Sequence, residues 1–325
     1  MEAYLYEPLG DQRVVCHLCS HRCVIKNGRR GICGVRANQN GQLQTLVYGR
    51  LIARNVDPIE KKPLFHLYPG SLSYSIATVG CNFKCRFCQN ADIAQMPADR
   101  DGLIMGSAVT PQAVVNAALE ANCRSIAYTY TEPTVYFEFA YETARLAHEK
   151  GLANVFVTNG YMTAEALRMI SPYLDAANVD LKAFENGFYK TYCGARLAPV
   201  QETLILMKAL GIMVEVTTLI IPGLNDDPHS LAALAHFMAN DLGHDTPWHI
   251  SRFHPTYKLS DRPATPLKTL LRAREIGLQA GLKYVYTGNV PGEASESTLC
   301  PGCGEILIER WGFHIRKFAV EAGKC

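Results

Sequence analysis

Residues 80–90 read GCNFKCRFCQN, and the strand-like run 72–79 leads directly into them. Three cysteines in this stretch, Cys81, Cys85 and Cys88, follow a C-x3-C-x2-C spacing. Three thiolates on one short loop can hold three irons of a cubane cluster. The fourth iron then keeps an open coordination position, which distinguishes a catalytic metal centre from a structural one. The stretch therefore predicts a catalytic iron–sulfur site after the first strand; a structural site or three unrelated cysteines are the alternatives.

Further strand-like runs follow this loop, each short, apolar and rich in β-branched or aromatic residues. They cover residues 125–130, 154–158, 177–181, 213–220, 248–252 and 284–286. Helical patterns separate them, and strand–helix alternation implies parallel βαβ units. The sequence therefore predicts an α/β fold, a partial barrel of the (β/α)6 type, with functional residues at the strand ends. A doubly wound open sheet is the alternative.

Capping residues mark the helix starts. Thr110, Asp227 and Thr265 each precede a proline, and Thr163 precedes another helical run. A side-chain oxygen at the cap accepts a free backbone N–H, and proline tolerates the first helical position. We therefore expect helices to begin directly after these residues.

The distribution of cysteine divides the chain into three predicted parts. Residues 1–70 form a Cys-rich metal-binding module with a short β-ribbon at 42–52, and residues 71–290 form the barrel. Residues 291–325 form an extension with a C-x-x-C hairpin and a strand-like run at 305–318. We expect the extension to pack on the N-terminal module.

Other cysteines also have the close spacing of metal ligands. They are Cys16, Cys19, Cys23, Cys33, Cys300 and Cys303. The first four could close a zinc site or bind a second iron–sulfur cluster, and the last pair could complete a site with two of them. Buried thiols or disulfides are the alternative, but clustered cysteines in a chain without a secretory signal favour metal binding. Cys123, Cys193 and Cys325 stand alone.

The 325-residue chain has a formal net charge of +2, and it is 48% apolar and 19% charged. This balance argues against a nucleic-acid-binding field. Residues 1–10 lack the pattern of a secretory signal, and no apolar run approaches the length of a membrane span. We therefore expect a cytoplasmic protein that binds neither nucleic acid nor membrane.

The loop at 80–90 resembles the signature of the radical S-adenosylmethionine (SAM) superfamily. Its GCN start and QN end resemble the branch of pyruvate formate-lyase activating enzyme. The resemblance implies a 4Fe–4S cluster whose open iron is chelated by the amino and carboxylate groups of SAM. It further implies that an electron from the reduced cluster cleaves SAM to methionine and a 5′-deoxyadenosyl radical. That radical would abstract a hydrogen atom from the substrate.

Segments at the other predicted strand ends resemble cofactor-binding motifs of the same family. Residues 129–134 (TYTEPT) resemble the motif that contacts the SAM amino group, and the lysine of 180–182 (DLK) would suit the methionine carboxylate. Residues 157–160, 217–225 and 248–255 resemble three further motifs. The cofactor-binding residues implied in this way are Glu132, Thr158, Asn159, Asp180, Lys182, His249 and His254. Capping, solvated or hydrogen-bonded core residues are the alternative, above all for His249.

The resemblance extends beyond the core loop. Residues 16–23, 31–36 and 57–64 and the Cys300 hairpin resemble the radical SAM enzyme of the AmmeMemoRadiSam system. This resemblance implies association with Memo-like and AMMECR1-like proteins, and the chemistry implies an electron donor such as flavodoxin or ferredoxin. Cys193 follows the strand end at Asp180, where a catalytic thiol could relay a hydrogen atom; an ordinary buried cysteine is the alternative. Lys61 and Lys62 could contact an anionic substrate or be surface lysines.

These observations leave several functions open. The first is a radical enzyme that acts on a small molecule or peptide, and the second is an activase that installs a glycyl radical in a partner enzyme. A non-catalytic metal–sulfur scaffold is a third, and RNA modification is disfavoured by the charge balance. The fold cannot separate these functions, because function depends on the site that a fold carries.

Overall fold

A computed structural model describes residues 1–290, 292, 294–321 and 325. Its central sheet has the strand order β15-β14-β13-β12-β11-β10-β8-β7. The strands are β7 (Ala53–Pro58), β8 (Leu72–Ala77), β10 (Ser125–Tyr128), β11 (Ala153–Thr158), β12 (Ala176–Asp180), β13 (Met213–Ile220), β14 (Trp248–Arg252) and β15 (Val285–Gly288). All neighbours from β8 to β15 are parallel, and only β7 joins the edge antiparallel.

This order confirms the predicted partial barrel. Each parallel strand lies beside the next one in the chain, so the sheet has no point at which the strand order reverses. A doubly wound sheet requires such a reversal, and that alternative was therefore wrong. Strand β7 belongs to the sheet although it precedes residue 71, the predicted start of the barrel. The division into three domains stays a prediction.

Helices connect the parallel strands. They are α1 (Ala91–Ala94), α2 (Met96–Asp99), α3 (Pro111–Glu120), α4 (Phe137–Glu149), α5 (Ala164–Ile170), α6 (Asn186–Phe188), α7 (Ala198–Ala209), α8 (Pro228–Phe237) and α9 (Leu267–Gln279). Thr110, Thr163 and Asp227 cap their helices as predicted, each accepting the N–H of the residue three positions on.

The predicted cap at Thr265 was wrong. Its hydroxyl donates to the carbonyl of Ile220 at 2.6 Å and accepts the N–H of Phe253 at 3.0 Å. The side chain therefore joins the ends of two neighbouring strands, and α9 begins two residues later, at Leu267. The Thr265 hydroxyl therefore makes a tertiary contact instead of the helix cap that the local sequence predicts.

Small sheets make up the N-terminal part, and one of them includes a strand from residues 107–108. The strands are β1 (Tyr6–Leu9), β2 (Arg13–Cys16), β3 (Val24–Ile25), β4 (Arg36–Gln39), β5 (Gln42–Thr45), β6 (Arg50–Leu51) and β9 (Ser107–Ala108). The ribbon predicted at 42–52 is displaced: β4 pairs with β5 through a tight turn at Asn40 and Gly41, both with positive φ. An Asn-Gly pair favours a two-residue hairpin, so the strands lie on either side of it.

The C-terminal extension forms an antiparallel sheet of β16 (Thr298–Leu299), β17 (Ile306–Trp311) and β18 (His314–Phe318). Pro291, Glu293 and residues 322–324 of this predicted part lie outside the described residues. The buried Arg310 donates to the carbonyl of Phe65 at 2.9 Å and lies 3.7 Å from Glu60. The extension thus packs on residues that precede β8.

Buried apolar side chains form a cluster that runs through both the N-terminal sheets and the barrel. Val14 and Val35 belong to it together with Ile76 and Val216. The N-terminal part therefore shares its core with the barrel. No helix in the described part of the chain has the length and apolar character needed to cross a membrane.

Candidate active site

The predicted site residues meet at the carboxyl ends of the parallel strands. A cavity of about 550 Å³ opens there. Its walls include Cys81, Cys85, Cys88, Glu132, Thr158, Asn159, Asp180 and Lys182. The cysteines come from the loop after β8, and the other residues come from the ends of β10, β11 and β12. This convergence on one edge is what a parallel barrel produces.

The cysteine loop has the donor set for a cluster with one open iron. Its three thiols share one cavity wall, and Cys81 Sγ receives contacts from the N–H of Phe83 at 3.4 Å and the amide of Asn159 at 3.8 Å. Donors of this kind stabilise a sulfur that carries negative charge. The side-chain nitrogen of Asn82 is buried without a partner among the described residues, so a donor remains for an anionic group beside Cys81. The residues present fit a three-cysteine iron–sulfur site.

Backbone contacts fix the shape of this loop. The N–H groups of Lys84 and Arg86 donate to the carbonyls of Cys193 and Tyr192, at 2.7 and 2.9 Å. The segment Tyr189–Cys193 forms a single π-helical turn that ends at Gly194 with φ +68°. This π-helical turn therefore holds the backbone on either side of Cys85, and π-turns often occur at functional sites.

Glu132 holds the ends of β10 and β11 together. Its Oε1 accepts from the N–H and hydroxyl of Thr134 and the hydroxyl of Thr158. Within the described part of the chain, its Oε2 accepts only from the N–H of Asn159, at 2.8 Å. Burial raises the pKa of Glu132, although these donors lower it. A carboxylate has about four acceptor positions. Oε2 therefore has room for one more donor from the cavity.

Lys182 and Asp180 form an ion pair on the wall next to the cysteine loop. Lys182 Nζ lies 3.0 Å from Asp180 Oδ2. Burial opposes the charge, but Asp180 and the thiols of Cys85 and Cys193 hold the pKa of Lys182 above its usual value. The ammonium is therefore a fixed positive charge beside the cavity.

Cys193 lies behind the cysteine loop. Its fully buried thiol hydrogen-bonds with Cys85, and Cys193 is not among the described residues that line the cavity. Any contact with a molecule in the cavity would have to pass the cysteine loop. The catalytic role predicted for Cys193 stays a prediction.

The structure brings neither of the two predicted histidines to the cavity wall. His249 Nε2 lies 2.6 Å from the buried carboxylate of Glu215, and its ring stacks on Tyr286. This makes it a hydrogen-bonded core residue. His254 is exposed on the loop after β14. Their assignment to the cofactor stays a prediction that the cavity lining does not support, because a motif at a strand end does not show which way each side chain points.

The outer cysteines form two separate groups. Cys16, Cys19, Cys23 and Cys33 surround a small cavity of about 20 Å³, and burial raises the pKa of Cys19, Cys23 and Cys33. Without metal these three are therefore neutral thiols.

Cys300 and Cys303 do not share a site with the N-terminal group. Their ligand atoms gather with that of Cys325, all within 4.8 Å of one another. The backbone N–H groups of Cys303 and Gly302 lower the pKa of Cys300 to about 7. Cys325, which stood alone in the sequence, was missed because 22 residues separate it from Cys303 and no local spacing links them.

A second polar group on the cavity wall was underestimated from the sequence. Lys62 is buried, with Nζ 2.7 Å from Asp57 Oδ2 and 4.6 Å from the centre of the Tyr130 ring. The Tyr130 hydroxyl donates to the same carboxylate. Burial lowers the pKa of Lys62 to about 8, although Asp57 raises it. In the sequence, only the two consecutive lysines at 61–62 indicated this group, and surface lysines were the simpler interpretation.

Residues 75–235 match the model of the radical SAM superfamily. The uncharacterized protein MJ0808 of Methanocaldococcus jannaschii is 49% identical to this chain over 326 residues, which cover 100% of the chain and 96% of that protein. The chain belongs to the radical SAM superfamily. Membership implies a 4Fe–4S cluster and SAM as cofactors.

Solved structures agree on the fold of this radical SAM protein. SuiB of Streptococcus suis, solved with SAM, is 14% identical and gives a TM-score of 0.52, covering 64% of this chain and 48% of SuiB. A radical SAM methyltransferase of Sphaerobacter thermophilus is 15% identical with a TM-score of 0.51, and 71% of each chain is covered. At these identities the likeness concerns the fold alone.

Proposed function

We propose that this radical SAM protein is an enzyme that cleaves SAM and abstracts a hydrogen atom from a small-molecule or peptide substrate. The observation that carries the proposal is the convergence on one cavity of Cys81, Cys85 and Cys88 with the free acceptor of Glu132 and the charge of Lys182. The cysteines can hold the cluster. The carboxylate of Glu132 and the ammonium of Lys182 complement the amino and carboxylate groups of a SAM molecule bound to it.

Each side chain has a defined task in this proposal. The three cysteines would hold the cluster, Glu132 Oε2 would accept from the ammonium of SAM, and Lys182 would face its carboxylate. With SAM bound and one electron supplied by a reductant, the site would supply a 5′-deoxyadenosyl radical and leave methionine. Lys182 keeps its proton because Asp180 lies 3.0 Å away, so it orients charge and donates no proton at neutral pH.

The substrate would occupy the rest of the cavity. The wall away from the cysteines includes Lys61, Lys62, Tyr130, Ser251 and Asn289. These groups donate hydrogen bonds or carry positive charge. We therefore propose a substrate with polar or anionic groups.

The test is the formation of 5′-deoxyadenosine. The protein is reconstituted anaerobically with iron and sulfide, reduced with dithionite and given SAM, beside Cys85→Ala and the control Cys123→Ala. We expect 5′-deoxyadenosine from wild type and the control and none from Cys85→Ala. No product from a fully loaded and reduced wild type, with cell extract as a source of substrate, would support a non-catalytic metal–sulfur scaffold.

An activase is the second candidate. A candidate glycyl-radical enzyme activating enzyme of M. jannaschii, MJ1632, is 24% identical over 213 residues, which cover 63% of this chain. Under this alternative the substrate would be a glycine in a partner enzyme. A glycyl radical signal in a co-incubated partner, rather than a modified small molecule, would favour it.

The proposal includes partners. The resemblance to the AmmeMemoRadiSam enzyme supports association with Memo-like and AMMECR1-like proteins, and reduction would come from flavodoxin or ferredoxin. For the outer cysteines we propose a single metal ion at Cys300, Cys303 and Cys325, because three thiols within 4.8 Å match the compact coordination of zinc.

A further inference from the structure

The N-terminal cysteines form a built site. Cys16 ends β2 and Cys23 precedes β3, and the N–H of Cys16 donates to the carbonyl of Cys23 at 2.9 Å. A turn from Gly31 to Gly34, the latter with φ +76°, carries Cys33 to the same place. Together with Cys19, these residues surround one small cavity.

The N-terminal thiols are not as close to one another as the ligands of a single zinc ion. Four thiolates about 2.3 Å from a zinc ion lie about 3.8 Å from one another and leave no space between them. The cavity here takes about 20 Å³, enough for a water-sized sphere. In the described residues, only Cys300, Cys303 and Cys325 bring three such ligand atoms within 4.8 Å of one another. The N-terminal thiols are therefore spread like those of the core loop.

A buried cation faces the same cavity. Arg36 lines it, and its side chain is 2% exposed. Its terminal nitrogens bind Glu138 and the carbonyl of Tyr4, but Nε has no hydrogen-bond partner among the described residues. A buried N–H without a partner is costly. Glu138 already pairs with the charge of Arg36, and an anionic sulfur centre in the cavity would satisfy the donor that remains.

The site also touches the core loop. A Cβ on Gly80, the residue before Cys81, would lie 3.2 Å from the carbonyl oxygen of Cys33 and 2.5 Å from Val35. His21 Nε2 lies 2.8 Å from the carbonyl oxygen of Asn82. The two cysteine loops are therefore in direct contact at these points.

We infer that Cys16, Cys19, Cys23 and Cys33 bind a second 4Fe–4S cluster, which lies beside the Arg36 guanidinium and against the loop of the core cluster. Four cysteines complete its coordination, so it has no open iron for SAM. The inference goes beyond the proposed function, because SAM cleavage itself requires only the core loop.

Iron and sulfide counts test it on the full-length protein. Cys85→Ala/Cys88→Ala removes two core ligands, and we expect this variant to keep about four irons and about four sulfides per chain. Cys16→Ala/Cys19→Ala should lose that set, and Cys123→Ala should match wild type at about eight irons. In reduced wild type, the electron paramagnetic resonance spectrum should be broadened by two neighbouring paramagnetic clusters.

Several results would overturn the inference. A core-loop variant that holds about one zinc at these cysteines, or no metal, would do so. If that variant does not fold, wild type with about four irons and an unbroadened spectrum decides against it. Iron counts and 5′-deoxyadenosine are independent: an active protein with one cluster refutes only this inference, and an inactive protein with two refutes only the proposed function.

Arg36 provides a separate readout. Arg36→Gln removes a positive charge beside the second cluster, so its reduction potential should fall, because the cation stabilises the more negative reduced form. Arg36→Lys keeps the charge and should move the potential less. Equal potentials in all three proteins would contradict the placement of Arg36 at a cluster.

Discussion

Glu132 keeps a carboxylate in the interior because neighbouring groups satisfy all but one of its acceptor positions. Three contacts converge on Oε1 and one on Oε2. The same contacts orient the remaining acceptor toward the cavity. One residue thus both joins two strand ends and prepares the proposed site for an ammonium.

Glu132→Gln should weaken SAM binding. The amide would lose the negative charge and present N–H groups where Asn159 already donates, so a charge-assisted hydrogen bond of about 1.5–3 kcal/mol is lost. We expect the dissociation constant of SAM to rise roughly tenfold to hundredfold, with the iron content unchanged. Equilibrium binding to the reconstituted protein measures this, and an unchanged constant would remove Glu132 from the SAM site.

Lys62 should make stability depend on pH. The folded protein releases this proton near pH 8, whereas the unfolded chain holds it to the usual pKa of 10.5. Between these pH values unfolding takes up a proton, so the free energy of unfolding rises with pH, by up to about 3 kcal/mol. The Lys62→Met variant should lack this rise in the free energy of unfolding.

Thermal unfolding midpoints of the anaerobic holoprotein, measured from pH 7 to 10, check the prediction. Wild type should gain stability relative to Lys62→Met as the pH rises. Lys61→Met is the matched control, because Lys61 binds the same Asp57 with a side chain that is 43% exposed. Parallel curves for wild type and Lys62→Met would show that Lys62 does not titrate in this range.

Among the secondary-structure elements, the π-helical turn Tyr189–Cys193 supports the cysteine loop. Two carbonyls of this turn hold the backbone on either side of Cys85. Gly194 ends the turn with φ +68°, in a region that L-residues with a Cβ adopt at a cost.

Gly194→Ala should therefore loosen the cluster loop. The left-handed backbone costs about 1–2 kcal/mol, and the added Cβ would lie 3.4 Å from Lys84 Cβ. Gly211→Ala is the matched control, since Gly211 has φ +78° and open space after α7. Both variants should be destabilised similarly, but only Gly194→Ala should release core iron faster to a chelator. Equal release rates would mean that the turn does not support the loop.

The sequence predicts the central elements well. The strands at 213–220 and 248–252 match β13 and β14, because long runs of β-branched and apolar residues have no competing pattern. Thr265 failed because its oxygen binds another strand. The pairing of His249 with the buried Glu215 was not predicted, because the two residues lie 34 positions apart and no local pattern indicates the contact. Contacts distant in sequence account for the errors.

The whole molecule has three proposed metal sites, and they differ in geometry. The core loop faces the large cavity, the N-terminal cysteines lie against that loop, and Cys300, Cys303 and Cys325 gather on an exposed hairpin. The sequence placed nine of these ten cysteines in their clusters, but it left open whether Cys300 and Cys303 complete a site with two of the N-terminal four. Only the folded chain brings Cys325 to Cys303.

The C-terminal group should hold zinc independently of iron. We expect about one zinc per chain, with affinity reduced roughly 100-fold or more in Cys325→Ala and unchanged in Cys123→Ala. Elemental analysis and competition with a chromogenic chelator measure content and affinity. If Cys325→Ala binds zinc as tightly as wild type, Cys325 is not a ligand.

We propose that SAM would bind the open iron of a cluster held by Cys81, Cys85 and Cys88. Electron–nuclear double resonance on the reduced protein, with SAM labelled with nitrogen-15 at its amino group, tests this contact directly. We predict a nitrogen coupling to the cluster, with Glu132→Gln weakening SAM occupancy and Cys123→Ala behaving as wild type. A fully loaded cluster that shows no coupling and no spectral change at saturating SAM would contradict the account.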